Sequence, residues 1–558
     1  RTDATIGTVP TAGSPLALAT FGRSLWVANG GTVSGPAGGT LRVVSSVPTP
    51  SIDPPVAIPS QPPELFEGTY DTLVTYQKVG GDGGLQLVPD LALTMPTVTD
   101  GGTTYSFVLR AGLRYSDGQP VRPADFRRGL ERAVDLSQYA AGQLSEIVGA
   151  ASCQAGQFCD LSSGITVSDR ANAITFHLVK PDPNFLYQLE GQFAVPVPAG
   201  VPDHDVGTHP IPSTGPYKIG SYEPGREVVF VRNPYFREWS AAAEPAGSPD
   251  RIVWTFGQTI PQDIAEIEAG RADWTDDPIP DAGTLAAQYP ARLHANPALS
   301  IDYVAFNTRV APFNRKQVRQ AFSLAANRAQ LVAMLGGPDA ASATCQFLPP
   351  GIPGYQSYCP FTVDPSPGGA WLGPDLAAAR ELVAKSGTRG MRVVFWSPPG
   401  TGPTSQFAVS VLRELGYRTS MVSPSFSTFF QNVNDSRRNV QVTDGSWYMA
   451  PSASEFFDNF FRCSAWKLAD PSAVRNGSFF CDPALDRQMD KADQEALTDP
   501  SQAALTWANV DRGVTDEAPW VPLVNMTLVD FVSARVTNYE YNPALPGVLL
   551  DQLEIRPG

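Results

Sequence analysis

Histidine is scarce, with only His177, His204, His209 and His294 in 558 residues. The usual general bases and zinc ligands are therefore few. Asp203-His204-Asp205 with His209 is the one cluster, but Pro202, Gly207 and Pro210 mark it as a loop rather than a metal-holding element. H-E-x-x-H, G-x-S-x-G and the EF-hand loop are all missing, and Ser464-Ala465-Trp466-Lys467 matches S-x-x-K without a K-T-G to follow. Gly80-Gly81-Asp82-Gly83-Gly84 is no phosphate cradle, because Leu85-Gln86-Leu87-Val88 stands where a P-loop needs Lys and Ser/Thr. No catalytic residue, metal or cofactor is expected.

Positive charge is short as well. Lys and Arg number 40 against 55 Asp and Glu, a net charge of -15, so nucleic acid is not an expected partner. A run of about 18 apolar residues is absent, so no spanning helix is expected, and contact with a membrane is expected only through a part outside this chain. Arg1 opens the chain without a signal peptide, which leads us to expect a processed or truncated form. A chain of this length exceeds one hydrophobic core, so two or more domains are expected. With 42% hydrophobic and 17% charged residues, the chain reads as folded rather than disordered.

The six cysteines fall into three local couples: Cys153 with Cys159, Cys345 with Cys359, and Cys463 with Cys481. None has the tighter spacing of a metal site. Proximity favours local disulfides, each worth about 2–3 kcal/mol for loops this short, although other pairings stay open. Disulfides imply an oxidising, extracytoplasmic compartment.

The most informative stretch runs from Tyr105 to Arg132. Tyr105, Phe107 and Leu109 alternate with Ser106, Val108 and Arg110 as in a strand with one buried face, Asp117-Gly118 is a turn, and Ala124 to Ala133 has helical spacing. Asp125 suits the first turn of that helix and Pro123 its entry. Further segments follow the same order as in a known family: Tyr70-Asp71-Thr72-Leu73-Val74, Ser213-Thr214-Gly215-Pro216-Tyr217, Arg232-Asn233-Pro234, Phe306-Asn307-Thr308, Pro312-Phe313, Val318-Arg319-Gln320-Ala321, Asn327-Arg328, Trp447 and Pro519-Trp520-Val521-Pro522-Leu523. From about Leu41 to Leu553 the chain resembles the family 5 extracellular solute-binding proteins, the oligopeptide, dipeptide and nickel receptors of ABC importers.

The resemblance implies an α/β, two-lobed periplasmic-binding-protein-like fold (type II, cluster C) with an inserted subdomain. Lobe I would take residues 40–58, 195–299 and 517–558, the inserted subdomain 59–194, and lobe II 300–516, with crossovers near Ser300 and Asp516. Residues 1–39 stand apart. Ser14-Pro15-Leu16-Ala17-Leu18-Ala19, Ser24-Leu25-Trp26-Val27-Ala28-Asn29-Gly30 and Thr32-Val33-Ser34 resemble one β-propeller blade. A lone blade cannot bury both faces, so a truncated larger parent, or a segment packed on the main body, is expected; a Gly-rich leader with two strands is the plainer alternative.

A strand is expected to start at Leu41, with Leu41-Val43-Ser45 alternating against Val44-Ser46-Pro48, and to be ended by Ile52-Asp53-Pro54; further strands are expected at Leu85–Val88, Ala173–Leu178, Asp250–Phe256, Asp302–Asn307 and Met391–Trp396, with a hairpin over Tyr217–Val231. Helices are expected at Phe66–Val74, Ile260–Ala269, Lys316–Leu335, Asp375–Ser386 and Thr404–Leu415.

For function, the resemblance implies a receptor that closes two lobes on a small-molecule or peptide-like ligand for an importer permease, as a monomer. The alternative is the ectodomain of a propeller-containing sensor. Ser446-Trp447 matches the family's ligand-packing pair, with Tyr448 beside it. Phe426 resembles a second ligand-facing aromatic, Tyr70 and Asp71 would come from the opposite wall, and Asn307 offers an amide that donates and accepts. Arg110, Arg319 and Arg328 are expected to pair with structural carboxylates. One departure stands out: peptide-binding members carry an Asp three residues after the Trp, holding the ligand's α-amine, and here that position is Ala450. A neutral or apolar ligand group is expected there, with Asp444, Glu455 and Asp458 as the acids that could substitute.

Overall fold

The computed structural model describes residues 14–21, 24–30, 38–57, 62–279, 282–399, 402–466 and 476–556, with the backbone alone over 14–30. The leader is a hairpin of β1 (Ser14–Phe21) and β2 (Ser24–Gly30), whose strands pair only with each other among the described residues. Thr32-Val33-Ser34 lies outside the described residues.

β3 (Thr40–Ser45) enters lobe I with Leu41 and Val43 buried on one face. The chain then leaves to build the inserted subdomain from β4 (Val74–Tyr76), β5 (Leu87–Pro89), β6 (Thr97–Thr99), β7 (Thr104–Val108), β8 (Ile165–Ser168) and β9 (Ala173–His177). The last four form an antiparallel sheet in the order β6-β7-β9-β8. Tyr105 and Phe107 turn inward from β7 and meet Phe126, Leu130, Ala133 and Val134 of the helix Pro123–Leu136. Fully burying a Phe or Leu of this kind contributes about 1.5–3 kcal/mol. The helix starts where expected because Asp125 accepts the Arg122 N–H at 2.9 Å, and Tyr115 donates to the same carboxylate at 3.1 Å. Gly129 lets it approach the chain closely, since a Cβ there would lie 2.1 Å from the Val195 carbonyl oxygen.

Arg132, on the buried face of this helix, joins the subdomain to lobe I. Its guanidinium grips Asp53 through Nη1 at 2.7 Å and through Nη2, and donates to the carbonyls of Pro202 and His204 at 2.8 Å each. Both side chains are fully buried.

Back in lobe I, β10 (Tyr217–Glu223), β11 (Glu227–Arg232), β12 (Arg251–Phe256) and β13 (Trp274–Thr275) complete a sheet in the order β10-β11-β12-β3-β13, with β3 parallel to both neighbours. The β10–β11 hairpin turns at Pro224 to Arg226, within the segment expected for it.

β14 (Leu293–Pro297) leads to lobe II, which contributes β15 (Ser300–Phe306), β16 (Ala341–Ala343), β17 (Arg392–Trp396), β18 (Arg418–Val422) and β19 (Val442–Tyr448). β20 (Trp520–Phe531) closes the order β14-β20-β15-β19-β17-β18, with β16 also on β20. Two cores sandwich this sheet. Val304 and Phe306 of β15 face the helices Lys316–Ala325 and Pro403–Glu414, while Ile301, Tyr303 and Ala305 face an aromatic core containing Phe456, Phe457, Phe460 and Trp520. The period-two alternation of a strand buried on both faces produces this division.

The chain passes from β14 to β15 through Ala298–Leu299, and both strands pair with β20: Trp520 to Val524 lie along β15 and Thr527 to Phe531 along β14.

Two expected helices differ. Lys316–Leu335 is two helices, because Ala326 is extended and the Asn327 side chain caps a new one, Arg328–Met334. Phe66–Val74 shrinks to the turn Glu64–Glu67, and the β-branched residues Val74 and Thr75 enter β4 instead. The signature arginines also differ from expectation, bonding mainly to backbone carbonyls rather than carboxylates. Arg110 donates to Asp90 and Pro89, Arg319 to Phe313, Glu517 and Ala518, and Arg328 to Thr344, Ser323 and Pro522. Burial pushes Arg319 down to about 10 and Arg328 to about 9.

All three local disulfides are present: Cys153–Cys159, Cys345–Cys359 and Cys463–Cys481. The third ties the end of the helix Ala453–Phe461 to the start of Pro483–Ala496. Among the described residues, no helix is long and apolar enough to cross a membrane and no cluster of His, Cys, Asp and Glu could hold a metal ion.

Candidate functional site

A cavity of about 1280 Å³ separates the inserted subdomain from lobe II. On the subdomain side it is lined by Tyr76, Tyr139, Glu146, the segment Lys180–Asn184, and Tyr187, Gln188 and Glu190 from the short helix Phe185–Glu190. On the lobe II side stand Tyr448, Met449 and Ala450, then Glu455, Asp458 and Asn459 from the helix Ala453–Phe461, Arg462, and Asp490, Asp493 and Gln494 from the helix Pro483–Ala496. Ala544 and Pro546 close one end.

Local sequence positions these groups. β19 ends at Tyr448, and the chain turns through Met449 and Ala450 to Ser452, whose hydroxyl caps the next helix by accepting the Glu455 N–H. That helix buries Phe456, Phe457, Phe460 and Phe461, so its remaining face, with Glu455, Asp458 and Asn459, is left for the cavity. A clasp joins the two walls: the Asn184 amide donates to Ser454 Oγ at 3.0 Å and accepts from Ser452 Oγ at 2.6 Å.

Carboxylates dominate the lining. Seven face it (Glu146, Asp182, Glu190, Glu455, Asp458, Asp490 and Asp493) against two cations, Lys180 and Arg462. Both cations are already engaged. Lys180 pairs with Glu146 at 3.1 Å; Arg462 pairs with Asp458 at 2.6 Å, with Asp490 at 2.5 Å and with Asp493. Burial raises Asp182, Asp458 and Asp493 above the usual carboxylate range, and for Asp458 the neighbouring Asp493 adds to the effect while Arg462 opposes it. Burial pushes Glu190 up to about 8.

Of the residues expected at the ligand, Tyr448 and Ala450 line this cavity. Trp447 lies behind it, edge to face with Phe460 at 4.7 Å, and Ser446 points to the other side of β19, near Asp302. Tyr70 and Asp71 are buried away from it. The Tyr70 hydroxyl donates to the Ile211 carbonyl at 3.2 Å, and Asp71, beside Lys78 and Thr214, is pushed up to about 6 by burial. Asn307 holds its own turn, donating to Val440 and accepting the Arg309 N–H. Phe426 is 67% exposed and packs on Phe430, outside the lining. Of the three acids considered for the missing Asp, Glu455 and Asp458 are in the wall, whereas Asp444 is buried against Ser405 at 2.6 Å.

Sequence reading missed the opposite wall. The helix Phe185–Glu190 has six residues, too few for a helical period to register, and its neighbour Asp182-Pro183-Asn184 reads only as a turn.

The profile of "Bacterial extracellular solute-binding proteins, family 5 Middle" matches residues 86–467. The chain belongs to this family. As a family 5 extracellular solute-binding protein it works outside the cytoplasm, and its two-lobed fold recurs among solved structures. It is 25% identical over 462 residues to the glutathione-binding protein GsiB of Salmonella choleraesuis (strain SC-B67), covering 80% of this chain and 82% of the relative. The fold of clavulanic acid biosynthesis oligopeptide binding protein 2 matches with a TM-score of 0.80 at 24% identity, over 93% of this chain and 96% of that one. A dipeptide binding protein from Pseudoalteromonas sp. SM9913 in complex with Met-Leu matches at 0.68 and 19%, over 93% and 100%.

Proposed function

We propose that this family 5 protein captures a peptide-like or other small organic ligand in the cleft between the inserted subdomain and lobe II, and delivers it as a monomer to the permease of an ABC importer. The carrying observation is the cavity of about 1280 Å³ with one wall from each side. It exceeds the roughly 300–1,000 Å³ of ordinary small-molecule pockets, which leaves room for several peptide residues and water. The names of the relatives, binders of glutathione, oligopeptide and dipeptide, favour a peptide-like ligand. On lobe II we assign Tyr448 and Ala450 to the ligand, with Met449 between them and Trp447 bracing them from behind.

The hinge in this reading is the pair of crossovers, Ala298–Leu299 and the middle of β20. A ligand that touches both walls favours the closed state by its differential affinity. Small-angle scattering of ligand-stripped protein, before and after saturation with a binder found by native mass spectrometry of the purified chain, is expected to show a smaller radius of gyration when bound. An unchanged profile at saturation rejects closure of this cleft as the binding event.

A further inference from the structure

We propose that Asn184 is the bolt of a latch that holds the cleft shut in the absence of ligand, so that the empty protein already populates its closed form. This rests on the reading of the cleft as the ligand site and adds a device that sets how often the empty cleft is closed.

Asn184 stands at the start of the helix Phe185–Glu190, where an Asn side chain ordinarily accepts an N–H of its own first turn. Here it makes no such bond. Its amide reaches across to Ser452 and Ser454 at the start of the helix Ala453–Phe461 on the opposite wall. The pairing has one consistent polarity. Ser452 Oγ accepts the Glu455 N–H at 3.3 Å, so its own proton is free for Asn184 Oδ1 at 2.6 Å. Ser454 has a single proton, which it turns to Asp493 at 2.7 Å or Asp458 at 3.2 Å, and its oxygen is left to accept the Asn184 amide at 3.0 Å. The bonds therefore run in one direction, from the Glu455 N–H through Ser452, Asn184 and Ser454 to the acids, and Arg462 anchors that end by pairing with both Asp458 and Asp493. Hydrogen bonds in series reinforce one another, and this series is complete only while the two walls touch.

An apolar contact also joins the two sides. Leu497, just past the helix Pro483–Ala496 of lobe II, lies against Gly102 and Pro181 of the inserted subdomain: a Cβ at Gly102 would stand 3.0 Å from Leu497 Cδ1 and 3.4 Å from Pro181 Cβ. Neither contact uses a ligand, so both favour the closed form of the empty protein. Each bond of the latch, at the net strength of an ordinary protein hydrogen bond, multiplies the closed-to-open ratio by about five. A ligand that binds the closed form gains in apparent affinity as that form becomes more populated.

The test is small-angle scattering of the full, ligand-stripped chain as wild type, Asn184→Ala, Ser454→Ala and the double variant. Asn184 lines the cavity whereas Ser454 does not, and the use of empty protein keeps ligand contacts out of the comparison. Asn184→Ala is expected to lower the closed-to-open ratio about tenfold or more and Ser454→Ala about fivefold, each read as a larger radius of gyration with unchanged far-UV circular dichroism. The double variant is expected to match Asn184→Ala, because its second substitution removes a bond already lost. Ser454→Ala carries the test if Asn184→Ala does not fold. Equal radii in wild type and the single variants, or effects that simply add in the double variant, overturn the latch. The underlying reading is scored separately, by whether the binder co-purified with wild type contracts the variants at saturation. Contraction with equal empty radii discards the latch and keeps the cleft as the ligand site; expansion of the empty variants without contraction keeps the latch and discards that reading.

Discussion

Asp53→Ala is expected to lower unfolding stability by about 3–5 kcal/mol, the cost of leaving a buried charge without its partner. Asp53 and Arg132 are both fully buried, and the carboxylate also accepts the Val206 N–H at 3.0 Å. Removing it leaves the guanidinium with two carbonyl acceptors in a region water does not reach. The loss should concentrate at the junction between lobe I and the inserted subdomain, because Arg132 comes from one and Asp53 from the other. Glu223→Ala, which removes the exposed partner of Arg226, is the control, and surface pairs of this kind contribute about 0–1 kcal/mol. Urea unfolding of both variants checks the contrast. A loss below about 1 kcal/mol for Asp53→Ala would show that the pair does not pin the junction.

Stability is expected to be highest at mildly acidic pH and to fall as pH rises from about 5 to 8. Burial holds Asp71, Asp276, Asp444 and Asp511 up at about 6 and Glu67 at about 8. Each folded-state value lies above that of the unfolded chain, so between about pH 4 and these values the native state keeps protons that the unfolded state has released. Stability therefore declines with rising pH across that window. One Asp moved from its ordinary value to about 6 accounts for about 3 kcal/mol. Asp160, Asp435 beside Arg437 and Glu266 beside Arg271 are held low by hydrogen bonds and act below this window. Urea midpoints of ligand-free protein at pH 5, 6, 7 and 8 check the slope, and Glu67→Gln should flatten its upper part. A midpoint that rises over this range would contradict the assignment.

Several elements could be read from residues alone because their determinants are local. The helix Pro123–Leu136 carries its own start signal and apolar stripe, β7 its own alternation, and the Glu223–Glu227 hairpin its turn residues. The cysteine couples closed as their spacing suggested. Where two plausible patterns competed, packing decided. The span Lys316–Leu335 has helical composition throughout, but burying Arg328 beneath the Thr344 and Pro522 carbonyls requires the break at Ala326.

Of the candidate cleft, the sequence reading reached one wall. Tyr448 ends the strand that carries Trp447 and Ala450 lies two residues beyond it, both within a few residues of a recognisable signature. Tyr70 and Asp71 belong to an equally recognisable signature, yet their side chains serve the fold, since the chain buries them against Ile211, Thr214 and Lys78.

The sequence by itself determined the family, the layered α/β composition, the oxidised cysteine couples and the absence of a familiar catalytic motif, all of which depend on residue types at short spacings. The tertiary structure alone decided which acids share a cavity. Glu190 and Glu455 lie far apart along the chain, and nothing in either neighbourhood announces the other. Both line one cavity because the fold sets the helices Phe185–Glu190 and Ala453–Phe461 on its two sides. Electrostatic character at a site depends on distance through space, and a linear sequence records that distance only where local geometry fixes it.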